Sequence, residues 1–292
     1  MKKKSKTLGA RIFVYMILSG MGFVCLYPIL YMVVNSIMSV ADLTDPSVTW
    51  IPTEWYLDNY RTAFETLDFA RSFGMSMLMS LVPAILQTAV TAVVAYGLAR
   101  FKIPFKRVIL VLILVTFLIP TQVTLVPRYV LFDNYHMTDT VWAQFLPAIL
   151  GQGIYSAIFI FVYYSYFSSY PIVLDEAAEI DGAGKWKIFT HISMPMARGA
   201  AVLSMLFSFV FYWNETYQSN TMWGGKIQTL PLKLQSFTLQ YEALYGKDAA
   251  GTINESISLA GTLLSILPLL IMYLVFQRQF VESIESTGIT GE

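Results

Sequence analysis

The chain has one cysteine, two histidines and charged residues at only 13% of its 292 positions. Cys25 alone excludes an internal disulfide framework and any multi-cysteine metal site. With only His136 and His191, a catalytic triad or a histidine metal site has few candidates, and each reads first as a surface residue. No basic excess exists either. Nineteen Lys+Arg face 19 Asp+Glu, so nothing supplies phosphate contacts and no nucleic-acid partner is expected. A phosphate-binding loop is also missing: before Gly184-Lys185 the first required glycine is replaced by Glu179, and Trp186 follows the lysine. Internal repeats and Gly/Ser linkers are absent, and no catalytic constellation is recognisable, so the chain reads as non-enzymatic.

What is present is apolar. Hydrophobic residues make up 56% of the chain, against ~45–50% in average globular domains, and the mean hydropathy is +0.57. Such a chain is no solvated coil, and a neutral surface this apolar points to lipid as its solvent.

A membrane helix needs about 20 mostly apolar residues to cross a ~30 Å hydrocarbon core. A charge at its centre costs roughly 2.5–3.5 kcal/mol, so charge-free runs measure the spans. Those runs are Ile12–Ala41, Ser72–Ala99, Val108–Pro127, Thr140–Leu174, Gly199–Asn214 and Ser256–Gln277. The fifth is short, and Met194–Ala197 are available to extend it. The expectation is an all-α polytopic membrane protein with six spans over about 12–38, 72–99, 108–127, 153–170, 196–214 and 256–277. Summed over alternate connecting segments, Lys and Arg number 13 on one side and 6 on the other. The basic side faces the cytoplasm. That places 1–11, 175–198 and the tail 286–292 inside and the loop 215–255 outside, with both termini cytoplasmic. Ser39-Val40-Ala41 resembles a signal-peptide cleavage site, but the apolar run before it is far longer than a 7–15-residue signal core, so the first helix is read as uncleaved.

The second span is rich in small residues, among them Ala84, Thr88, Ala92, Ala95 and Ala99 at close-packing spacing, for packing within the chain or at a subunit interface. In the fourth run Pro147 and Gly151-Gln152-Gly153 separate an outer or part-buried segment, 140–150, from the span proper. The aromatics from Tyr155 to Tyr170 suit core, interfacial belt or solute path.

The segment 175–198 reads as helix, glycine turn, helix. Asp175, Glu176, Glu179 and Asp181 crowd a helix whose start favours acids. Ala177 and Ala178 keep one face slim, Gly182 permits a reversal, and Trp186, Phe189 and Ile192 form an apolar stripe ended by Pro195, which redirects the chain into the fifth span. A slim helix and an apolar stripe held at the membrane surface suit docking into a cytoplasmic partner.

That segment resembles the EAA motif of binding-protein-dependent ABC importer permeases. Glu176, Ala177, Ala178, Asp181, Gly182, Ala183, Ile192 and Pro195 match, while Met194 replaces the usual Leu and Gly199 stands where a second Pro is common. Tyr96–Phe101, Pro120–Pro127, Trp213-Asn214-Glu215 and Phe276–Val281 resemble further runs of the carbohydrate-type permeases, closest to the maltose-type second permease (MalG-like). The resemblance covers roughly residues 50–285. It implies a type I ABC importer permease fold, a single permease domain over 12–285, and a place in the bacterial cytoplasmic membrane.

By the same resemblance the chain is half of a translocation pore for a sugar or oligosaccharide. Its partners would be a homologous, MalF-like second permease, two ABC ATPase subunits and an extracytoplasmic solute-binding protein. The chain itself would hold no cofactor; ATP and Mg would be bound by the ATPases. Glu176, Ala177, Ala178, Asp181, Gly182, Trp186, Phe189, Ile192 and Pro195 would dock the motor. The tail from Thr287 to Glu292 lacks the lysine usual in the family, whose tail approaches the ATPase dimer.

Gln87, Gln122, Trp213, Asn214 and Glu215 are candidates for the solute path, since polar groups in or beside apolar spans often serve function. Capping or an interface suits Asn214 and Glu215 equally, and Gln122 can serve backbone groups freed by Pro120. The alternatives are an ABC permease for a non-sugar solute and an ATP-independent secondary transporter. The latter would need midplane ionisable groups or inverted repeats, and the spans offer neither.

Overall fold

The computed structural model describes residues 8–246 and 253–288, and among these every regular element is helical. Two compact units are distinguished, Met1–Phe69 with Ser236–Leu267, and Ala70–Gln235 with Pro268–Glu292. Three helices are each long and apolar enough to cross a membrane: α1 (Leu8–Ser36), α2 (Phe69–Arg100) and the C-terminal helix (Glu255–Gly288, apolar through Gln279). The apolar window of α1 is uncovered by the rest of the chain, so its stable surroundings are lipid or another subunit. Three further bent helix pairs also pass the test, giving up to six spans.

The third expected span, 108–127, is not one helix. α3 (Lys106–Leu118) stops before Ile119-Pro120, and α4 (Thr121–Asn134) leaves at 96°. Proline has no N–H and drives the residue before it out of the helical region; Ile119 is extended at ψ 119°. A short helix over Trp142–Ile149 precedes α5 (Ser156–Ser169), close to the expected split of the fourth run. The expected extension of the fifth span through Met194–Ala197 also fails. α6 (Arg198–Asn214) begins after a 79° bend, leaving Met194–Met196 with the preceding segment. The bend falls at Ala197, whose ψ of 18° leaves the helical region, rather than at Pro195.

In the first unit, Asn59 ties down the chain just beyond the end of α1. It is buried and its amide nitrogen donates to the carbonyls of Ser36 at 3.0 Å and Met38 at 2.9 Å. The second unit is built on small-to-large packing. Ala92, Ala95, Ala197 and Ala200 are fully covered beside Tyr96, Tyr163, Phe167 and Phe189. In-chain packing therefore takes up the small-residue stripe of α2 at Ala84, Thr91, Ala92 and Ala95, while Ala89 stays exposed. The aromatics of α5 divide at helical spacing. Phe159, Tyr163 and Phe167 are core, whereas Phe161, Tyr164 and Tyr166 on the other faces are half-buried.

Candidate functional site

α7 (Val173–Ile180) and α8 (Lys185–Ile188) form the expected helix–turn–helix. The turn is a Schellman closure: the Gly182 N–H donates to Glu179 O at 3.0 Å and the Ala183 N–H to Ala178 O at 2.9 Å. It requires Gly182 at φ +78°, which a β-carbon resists. An ion pair between exposed Lys185 and Glu179 links the two helices across the surface.

The two faces of α7 are chemically distinct. Glu176, Ala177 and Ile180 point outward, with Ile180 87% exposed, whereas Asp175 is buried. Ala178 is half-buried behind them and Asp181 is exposed at the turn. On the second helix Trp186 is 67% exposed, but Phe189 is only 6% exposed, packed against Tyr96 and Phe167. Ile192 is half-buried and Pro195 exposed. The Trp186/Phe189/Ile192 stripe therefore does not present one docking face. Phe189 anchors the segment to the core and Trp186 is its outward member. The turn over Phe189–Ser193 is π-helical; Pro195, unable to donate to the carbonyl four residues back, accounts for the widening.

A buried polar cluster fixes this segment to the end of α2. Arg100 Nε lies 3.3 Å from Asp175 Oδ2, an ion pair without hydrogen-bond alignment, and Arg100 Nη2 donates to Tyr170 O at 2.9 Å. The guanidinium sits 3.5 Å above the Tyr170 ring. The Tyr170 hydroxyl donates to Asp175 Oδ1 at 3.0 Å and lies 2.6 Å from Ser193 Oγ. One cation at the end of α2 thus holds α7 through Asp175, and Tyr170 reaches on to the π-turn through Ser193. Sequence reasoning missed this, counting Arg100 only as a positive-side charge and Asp175 only as a first-turn acid. The available signal was their spacing. Asp175 is the acid that the α7 period turns away from Glu176 and Ile180, and a buried acid needs a cation.

The solute-path candidates do not converge. Gln87 is buried with both amide atoms engaged: Nε2 donates to Ile154 O at 2.7 Å and Oε1 accepts from Tyr212 at 2.5 Å. This latch also explains Gly153, where a β-carbon would collide with the same two side-chain oxygens. Gln122 is exposed in the first turn of α4, and Trp213 is buried against Phe73 and Phe209. Asn214 bonds back to Val210 O at 2.9 Å, closing α6. Glu215 opens the next helix, α9 (Tyr217–Trp223), accepting from the N–H groups of Gln218 and Ser219 at 2.8 and 2.9 Å and from the Ser219 hydroxyl at 2.6 Å. Among the described residues no group of three or more His, Cys, Asp or Glu could hold a metal ion.

The chain belongs to the family of binding-protein-dependent transport system inner membrane components, matched over residues 89–284. It is 28% identical to the melibiose/raffinose/stachyose import permease protein MelC of Bacillus subtilis, over 85% of this chain and 86% of MelC. To the lactose transport system permease protein LacG of Rhizobium radiobacter it is 26% identical, over 92% of each. Its fold matches a chain in the crystal structure of a bacterial ABC transporter that imports the acidic polysaccharide alginate. The TM-score is 0.76 at 23% identity, with 94% of this chain and 99% of that one covered. The chain is thus a multi-pass ABC importer permease.

Proposed function

We propose that the chain is one half of the translocation pore of an ATP-driven sugar importer in the bacterial cytoplasmic membrane. It crosses six times, each bent pair contributing one crossing, with both termini in the cytoplasm. A second, homologous permease completes the pore, a solute-binding protein delivers the sugar outside, and two ATPases bind and hydrolyse ATP with Mg. The chain carries no hydrolytic chemistry and needs no cofactor. Likeness to LacG and MelC supports a sugar as cargo. The carrying observation is the outward face of Glu176, Ala177, Ile180 and Trp186, braced from behind by Arg100 and Asp175. A motor that pushes on this face moves α2 with it. Asp181 and the Gly182 turn shape the edge of the face, Ala178, Phe189 and Ile192 set its angle from within, and Pro195 closes the segment at its exposed end. Glu215 keeps a place on the solute path, while the engaged amide of Gln87 and the buried ring of Trp213 serve its walls; Gln122 and Asn214 flank it. Of the tail, residues 289–292 lie outside the described residues.

Affinity purification of the tagged chain from cells carrying its native gene neighbourhood tests the assembly. One copy of a second permease and two of an ATPase are expected in the mass of the intact complex; the chain alone, in full transport activity, would refute it. Orientation has its own test. With Cys25 changed to Ser, Thr49→Cys is expected to react with an impermeant maleimide in intact cells, and Lys187→Cys only after permeabilisation. The opposite pattern overturns the topology.

A further inference from the structure

The turn 101–105 between α2 and α3 carries the most exposed aromatic side chain among the described residues, Phe105 at 81%. Both ends of the turn are fixed. The Phe101 N–H donates to Gly97 O at 3.1 Å, and the Phe101 ring meets Tyr96 edge-on at 5.7 Å. Ile103 packs against the alanine–aromatic core of the second unit. The Phe105 carbonyl accepts from the N–H groups of Val108 and Ile109 at 2.9 and 3.1 Å, starting α3. Phe105 itself stands at φ +55°, a left-handed conformation that a bulky side chain resists. Three cations flank it in the chain, Lys102, Lys106 and Arg107. No acid lies between 100 and 107, and none of the three makes an ion pair among the described residues. Lys106 and Arg107 stand in the first turn of α3, where the helix dipole disfavours positive charge. The surface continues down α3. Ile109, Leu110 and Ile113 pack inward against the core, while exposed Arg107 lies one turn above Val111, which heads the exposed stripe Val111, Val115 and Leu118.

We propose that this turn is a binding surface for anionic phospholipid headgroups, gripped by Lys102, Lys106 and Arg107, with the Phe105 ring set into the acyl boundary beside them. The charge calls for a negative partner, and the position says which. Arg107 shares its helix face with an apolar stripe that only a bilayer or a protein within it can cover. A water-soluble acidic surface could meet Lys102, but it would leave Phe105 and the stripe below it in water. A zwitterionic headgroup would answer the ring and leave the net charge of the three cations unmatched. Setting the orientation of the chain needs only the charges; it gives no reason for an aromatic ring held out in a resisted backbone conformation. Lys102 also lies two residues from Arg100, the cation that braces α7, so a gripped headgroup steadies the base of the docking segment. The surface rests on the proposed topology only for its leaflet, which is then the cytoplasmic one.

The test uses the assembled importer, otherwise cleared of cysteine, in vesicles of equal parts phosphatidylcholine and phosphatidylglycerol. Cys25→Ser with Val108→Cys places a bimane label on the outward face of α3, and lipids carrying a doxyl group near the headgroup quench it on contact. Doxyl-phosphatidylglycerol is expected to associate about five-fold more strongly than doxyl-phosphatidylcholine, the factor that one cation near an anionic headgroup supplies. Raising the salt from about 0.02 M to about 0.5 M is expected to bring that preference towards one. The triple variant Lys102→Gln, Lys106→Gln and Arg107→Gln is expected to do the same at low salt; should it fail to insert, the salt series on the unsubstituted cations still decides. A bimane at Phe105→Cys instead is expected to be quenched by lipid and shielded from aqueous iodide. Equal association of the two lipids, a preference indifferent to salt and substitution, or a label at 105 quenched by iodide alone overturns the surface. Loss of the ATPase from the triple variant without a change in lipid preference gives the cations to the motor and overturns it as well. None of these measurements uses ATP or sugar, and both leaflets hold both lipids, so the importer reading and its topology stand or fall separately, by their own tests.

Discussion

Arg100→Met is expected to remove most of the folded protein. Arg100 and Asp175 are both buried and paired, and removing one partner of a buried pair costs about 3–5 kcal/mol because the other charge is left uncompensated. That is a large fraction of the ~5–15 kcal/mol that stabilises an ordinary domain. The second change in the cycle separates charge from shape. Asp175→Asn keeps an acceptor for the Tyr170 hydroxyl and leaves Arg100 over the Tyr170 ring, so it is expected to be milder. Arg100→Met combined with Asp175→Leu removes both charges and is expected to recover much of the loss, as replaced buried pairs often do. Thermal unfolding of the purified complex checks the order. Additive single and double effects would show that the two charges do not sense each other, and the brace would be lost as an explanation.

Glu176→Lys is expected to act in the opposite way, abolishing uptake while leaving expression, insertion and thermal stability unchanged. The Glu176 side chain is exposed and makes no hydrogen bond or ion pair among the described residues, and surface substitutions of this kind usually shift stability within about ±0.5 kcal/mol. In the proposed assembly it meets a basic residue of the ATPase, so charge reversal sets two like charges against each other across an interface, at a cost of several kcal/mol. The ATPase is expected to be lost on purification of this variant and partly retained with Glu176→Gln. Wild-type uptake by Glu176→Lys would remove Glu176 from the docking face.

The contrast between neighbours 175 and 176 shows how far the sequence is legible. Charge-free runs located every apolar segment, because the cost of a charge in hydrocarbon is local and large. They did not show that Pro120 breaks the third run or that Ala197 bends the entry to the fifth. A run of apolar letters records solvent, not direction, and only the proline at 120 carried a readable signal. Glycine at 182 was legible as a reversal, since its φ is a property of the backbone itself. The stripe of Trp186, Phe189 and Ile192 was legible as apolar but not as divided, because core and interface use the same residues. Ile180, the most exposed apolar side chain of the face, was passed over for the same reason. Pairings across long separation, Arg100 with Asp175 and Gln87 with Tyr212, are products of the fold: the α7 period marks Asp175 as an inward acid, but nothing local names its partner.

In the proposed assembly this chain moves sugar only when an ATPase drives it. The most direct measurement is uptake into proteoliposomes rebuilt from this chain, the second permease, the ATPase and the binding protein, with ATP sealed inside. Sugar is expected to accumulate only with ATP and binding protein present, unaffected by a protonophore and absent with Glu176→Lys. Uptake that persists without the ATPase and collapses with the protonophore would contradict the account and make the chain a gradient-driven transporter.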